Sequence, residues 1–187
     1  MPILDMRSAT FARDQIIVPP VNITLDAGKQ SDIVCETDLS ASVLARLAAG
    51  VIKCTTGTIF IGNFDPKIQP VQVKRLVGFM PRDQARALPD PDAYFSYRAA
   101  LWEVDKRQAI ARGKRLLRRF DGLPAQEALL LAGALLHRPH LLVLDRPTSL
   151  ARSAAEDASG EAALFAAYGP ADRAVQIATA PLEMAVR

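Results

Sequence analysis

Apolar and polar positions along the chain fall into short runs with two periodicities. Residues 22–26 (NITLD), 32–35 (DIVC), 58–62 (TIFIG), 76–80 (LVGFM), 141–145 (LLVLD) and 174–179 (AVQIAT) are apolar or alternating, and predict strands. Between them, apolar residues at helical spacing predict helices over 42–49, from about 97 to 120, over 125–136 and from about 154 to 168. Strands alternating with helices, the late strands apolar throughout, predict an α/β fold around a buried sheet. The Pro-Asp turn ALPDPD (87–92) separates a strand-rich front from a helical middle that reads as an inserted lobe.

Composition narrows the class. A chain of 187 residues, half of them apolar, can bury one sizeable core, so a single domain is expected. The net charge of +3 is small and its cations are mixed with nearly as many acids, which argues against a broad nucleic-acid footprint. Two cysteines, Cys35 and Cys54, without a nearby histidine cluster suit neither a disulfide framework nor a zinc site, and fit a reducing cytosol. No segment reads as a signal peptide, and no apolar stretch reaches the roughly 20 residues needed to span a bilayer. Any work at a membrane is expected to be through a partner.

Four phrases carry a family resemblance: VLARLAAGVIKCTTGTIFIG, VKRLVGFMPRD, ALLHRPHLLVLDRPTS and VQIATAPLEMA. In this order and spacing, over most of the chain, they resemble the nucleotide-binding subunits of ATP-binding cassette (ABC) transporters. The resemblance implies an ABC-type P-loop NTPase-like fold: a mostly parallel sheet, an N-terminal antiparallel β portion and a shortened helical lobe. It implies a core subdomain of residues 1–86 and 123–187, with the reduced lobe at 87–122. Family members carry out ATP hydrolysis with magnesium.

The scaffold phrases persist while the residues that hold nucleotide in the family have changed. The family's G-x-x-x-x-G-K-[ST] loop falls on CETDLSAS (35–42). Its glycines become Cys35 and Ser40, its lysine becomes Ala41, and only the metal-binding hydroxyl survives, as Ser42. A phosphate cradle needs glycines so that backbone N–H groups can turn inward, and a lysine to neutralise charge. Glu36 and Asp38 instead put carboxylates where phosphate oxygens belong. The Gly-Lys of DAGKQS (26–31) lacks the loop's first glycine and reads as a surface turn between strands. The resemblance further puts Arg82 at the metal-sensing glutamine and Ala180 at the switch histidine, with Phe11 near the adenine-stacking aromatic. The family's signature LSGGQ falls on DGLPA (121–125) or is deleted, and the Gly-Leu-Asp expected after RPTS is replaced by Leu150, Ala151 and Arg152.

The strand aspartate is present as Asp145, but the family's general-base glutamate is Arg146. A guanidinium is a permanent cation with donors only and cannot take a proton from water. It is expected to pair with Asp145, Glu36 or Asp38, replacing the charge of the lost metal and lysine. Asp145 and Ser42 read as a strand end and a helix start kept for structure, and Phe11 as core. His137 and His140 lack metal-ligand partners in the sequence.

The aromatics Tyr94, Phe95, Tyr97 and Trp102 cluster at the entry to the lobe. With Arg82 they fall where the family receives the coupling helix of its permease, so they are candidate partner-binding residues, packing of the lobe being the equal alternative. The basic run from Lys106 to Arg119 reads as a solvated helix face, with acidic lipid or an acidic partner as the minority reading. The functional expectation is a catalytically inactive pseudo-ATPase without bound ATP or magnesium and with no resident metal. It would be a structural or regulatory subunit on the cytoplasmic face of a membrane, held there by a permease subunit or an active ATPase subunit. A scaffold in a non-transport assembly is the alternative, and a working ATP-binding transporter subunit a further one; neither nucleic acid nor direct membrane insertion is expected.

Overall fold

A computed structural model describes residues 1–13, 16–82 and 90–172. Two sheets share one helix between them. Strand β1 (Pro2–Arg13) pairs antiparallel with both β2 (Ile16–Asp26) and β4 (Thr56–Ile61), giving the order β2-β1-β4. Strands β3 (Gln30–Val34), β5 (Val77–Met80), β6 (Leu141–Asp145) and β7 (Ala163–Tyr168) form a parallel sheet ordered β3-β7-β6-β5. The turn from β2 to β3 closes through a Lys29 N–H to Asp26 carbonyl bond of 3.1 Å, with Gly28 at φ 69°. DAGKQS is therefore the surface turn its composition suggests.

Helix α1 (Asp38–Ala48) lies between the sheets. Its Val43, Leu44 and Leu47 share one buried cluster with Leu4, Met6, Ile59 and Ile61 of the antiparallel sheet and with Leu141, Val143 and Phe165 of the parallel one. Alternate residues of the same parallel strands, Leu142, Leu144, Leu164 and Ala166, point to the other face and a second cluster. That cluster is closed by α3 (Pro91–Leu101), α4 (Lys106–Arg119), α5 (Ala125–Ala134) and α6 (Ser149–Ser159); a short α2 (Pro70–Leu76) leads into β5. A strand covered on both faces needs no polar alternation, which is why β6 reads as a continuous apolar run.

Three expectations need correction. The helix predicted over 154–168 ends at Ser159, and 163–168 is strand β7, buried at every position. Its alanine-rich sequence, ALFAAY, reads as helix by propensity, but its backbone is bonded on both edges, to β3 and β6, and tertiary pairing overrides that propensity. The single helix predicted from 97 to 120 is two, broken at Trp102–Asp105, where Glu103 adopts φ 54° and Asp105 caps α4 through the Gln108 N–H at 2.9 Å. Helix α1 starts at Asp38, four residues before its expected start. Strand β1 and helix α2 carry no expectation from the sequence. The predicted strand 174–179 lies outside the described residues.

Candidate functional site

All four parallel strands end on one edge of their sheet, where ligands of open α/β sheets bind. Four segments meet there: Cys35–Thr37 after β3, Pro81–Arg82 after β5, Arg146 after β6, and Gly169–Asp172 after β7. Backbone bonds tie them to β7, since the Cys35 N–H donates to the Tyr168 carbonyl at 2.8 Å and the Arg146 N–H to the Ala167 carbonyl at 2.9 Å.

The segment after β3 is wound into helix. Thr37 caps α1, accepting from the Ser40 N–H at 3.0 Å, while the Ser40 hydroxyl accepts from the Thr37 N–H at 3.1 Å. The Ala41 N–H already bonds to the Thr37 carbonyl at 3.0 Å. This reciprocal cap consumes the N–H groups of residues 37, 40 and 41 inside the chain. Ala41 is fully buried, so no charged side chain projects from its position. Cys35 is half-buried, and burial pushes its thiol up to about 11, against an opposing hydrogen bond from Ser40; it stays protonated at neutral pH.

Arg146 is the centre of the site. It sits at φ 51°, a left-handed conformation that costs a residue with a Cβ about 1–2 kcal/mol. Its Nη2 lies 2.6 Å from Asp38 Oδ2, and its Nε donates to Asp172 Oδ2 at 2.7 Å. Arg82 donates from Nη1 to the Arg146 carbonyl at 2.6 Å. Asp172 also accepts from the Gly169 N–H at 3.0 Å. Burial raises the Asp172 carboxyl, but Arg146, the Gly169 N–H and Arg82 outweigh it and hold the group below its ordinary value. Asp172 in turn raises the Arg146 guanidinium, helped by Asp38 and Asp145. Asp38 Oδ1 is buried without a partner, pressed against Gly169, where a Cβ would lie 1.9 Å from it.

Arg146 thus bonds Asp38 as expected, and takes Asp172 rather than Asp145 or Glu36 as its second carboxylate. Asp145 is 1% exposed and accepts the Ser42 hydroxyl at 2.7 Å, joining the two positions that hold magnesium in the resembled family. Glu36 is exposed. Asp172 is not singled out by the sequence: it follows the end of β7, the neighbour of β6, whose pattern predicts helix. Ala180 lies outside the described residues. Phe11 is on β1 opposite Val18, part-buried against the first core cluster.

The candidate partner cluster divides. Phe95 is fully buried against Gly113 of α4, so it is lobe core and not a partner contact. Tyr94 is half-buried against Gly133 of α5. Trp102 meets the His137 ring edge-on at 4.8 Å, under the Arg98 guanidinium at 5.0 Å. Only Tyr97 stands out, at 63% exposed. Arg82 lines a separate cavity of about 290 Å³ with Pro124, Glu127 and Leu130. His137 bonds the Val77 carbonyl, and burial with nearby Arg98 lowers it to about 4, so it is neutral. Among the described residues no cluster of three His, Cys, Asp or Glu could hold a metal ion.

No family model matches the chain. The ABC transporter ATP-binding protein NatA of Bacillus subtilis is 23% identical over 146 residues, 71% of this chain and 59% of that protein. The zinc import ATP-binding protein ZnuC of Pseudomonas fluorescens is 26% identical over 174 residues, 87% of this chain and 59% of that protein. The chain thus spans about three fifths of the length of these curated relatives. Among solved structures, the ATP-binding subunit of an ABC transporter superimposes with a TM-score of 0.69 at 16% identity, covering 89% of this chain and 79% of that one. The chain therefore has the ABC nucleotide-binding-domain fold, and in sequence it is similar to these two transporter ATP-binding proteins.

Proposed function

We propose that this chain is a catalytically inactive cassette, a structural or regulatory subunit that docks on a membrane permease or pairs with an active ATPase subunit at the cytoplasmic face. The observation that carries this reading is the Arg146 ion pair to Asp38 and Asp172, at 2.6 and 2.7 Å, in the place where family members activate water. A guanidinium cannot be the general base. Magnesium ATP does not fit the residues present. A phosphate brought to α1 would meet the Asp38 carboxylate instead of a lysine, and the N–H groups of Thr37, Ser40 and Ala41 are already bonded within the chain. With the DGLPA segment in place of the signature, the chain also lacks the part that closes over a partner's nucleotide in the family.

One observation favours a second reading, an ordinary ATP-binding transporter subunit. Ser42 and Asp145 remain in contact at 2.7 Å, and the curated relatives are named as transporter ATP-binding proteins. The tagged protein purified from its native membranes in mild detergent separates these ideas. Recovery of a permease with an intact ATPase and no nucleotide on this chain is expected. A soluble assembly without permease would overturn the docking role, and co-purified ATP or ADP on this chain would favour the second reading.

A further inference from the structure

Helix α4 carries seven basic and no acidic residues in fourteen positions. Ala109, Gly113 and Leu116 turn inward to the lobe core. Positions 107, 111, 115 and 118 share the opposite face by helical period and are all exposed. Two basic side chains at the flanks are engaged by backbone: Arg112 donates to the Leu135 carbonyl at 3.3 Å, and Arg119 to that of Asp157. Lys114 pairs with Asp92 at 2.7 Å. Arg107, Arg115 and Arg118, along about 16 Å of ridge, have no partner among the described residues.

We propose that this ridge adsorbs to a bilayer surface bearing anionic phospholipid headgroups. The ridge carries no exposed aromatic or large apolar residue, so it offers neither an anchor for a protein groove nor a platform for bases. Acidic residues adjoin it, Asp92 paired with Lys114, Asp105 capping the helix and Asp157 bonded through its carbonyl by Arg119, and a duplex backbone or an acidic chain wrapping the lobe would meet them. A planar layer of headgroups touches only the convex crest, where the three arginines stand, and leaves the flanking carboxylates in water. No described helix is long and apolar enough to cross a membrane, so the contact is electrostatic. The adsorption does not depend on the state of the nucleotide site and would orient the lobe against the membrane beside any integral partner.

The test uses the full chain and flotation with vesicles of phosphatidylcholine alone or with about one third phosphatidylglycerol. Binding to the anionic vesicles only, weakened by added salt, is expected. Replacing Arg107, Arg115 and Arg118 together by Gln is expected to lower the partition coefficient about a hundredfold, each arginine contributing roughly fivefold. The variant should melt with the wild type, since all three side chains are exposed. Equal binding to neutral vesicles, or a triple variant that binds like the wild type, would overturn the proposal. So would tighter binding of duplex DNA or of an acidic polypeptide at a salt concentration that abolishes vesicle binding.

Discussion

Arg146 decides the character of the site at the scale of one residue. Replacing it with alanine removes the cation that bridges Asp38 and Asp172, and we expect a loss of about 2–3 kcal/mol in urea unfolding. Arg146→Glu, the change that would restore the family's residue, should destabilise more and give no ATPase activity, because it adds a carboxylate beside Asp38, Asp145 and Asp172. Since Asp172 is held below its ordinary value of 3.8, its stabilisation is present above that pH and is lost as pH falls through the depressed folded value. The stability gap between wild type and Asp172→Asn should therefore be constant near neutrality and close below about pH 3.8. The replacement of the base was legible from LLVLDRPTS alone, and so was Asp38 as a partner, because both fall in phrases that resemble a known loop. Asp172 was not. It lies 26 residues beyond Arg146, and its approach depends on where an unrecognised strand ends.

Local patterns gave the elements where one force dominates and failed where two compete. Strand β6 and helix α5 are apolar because they are buried on both sides, and both read directly. Strand β7 did not, because alanine favours helix in isolation while pairing with β3 and β6 on both edges holds the segment extended. The break between α3 and α4 was hidden because their apolar periods run on almost in phase across four residues. Close packing of these two helices rests on Gly113, where an added Cβ would lie 2.4 Å from two ring carbons of Phe95. Gly113→Ala should cost about 1–3 kcal/mol despite alanine's better helix propensity, seen as a lower urea midpoint. The cap of α1 belongs to the same scale. Thr37→Ala should cost about 1 kcal/mol by the same measurement, because the Ser40 N–H loses its acceptor while the Ser40 hydroxyl keeps only its two backbone partners at residue 37.

Across the whole molecule, the fold and the site have separated. The sheet order, the helix between the sheets and the lobe are those of an ATP-binding cassette, which the scaffold phrases already implied. The edge where the four parallel strands end instead carries an internal guanidinium paired with two carboxylates, and fold alone does not carry activity across such a change. In this account the chain persists for its shape, with docking as its work and the α4 ridge as an added membrane contact. The central claim is that the closed edge holds no nucleotide, and calorimetric titration of the full chain with ATP and magnesium tests it most directly. The account predicts no binding heat up to millimolar ATP and, by linkage, no rise in melting temperature. A saturable, magnesium-dependent heat with micromolar affinity, abolished by Ser42→Ala or Asp145→Asn, would contradict it and return the chain to the working ATP-binding subunits.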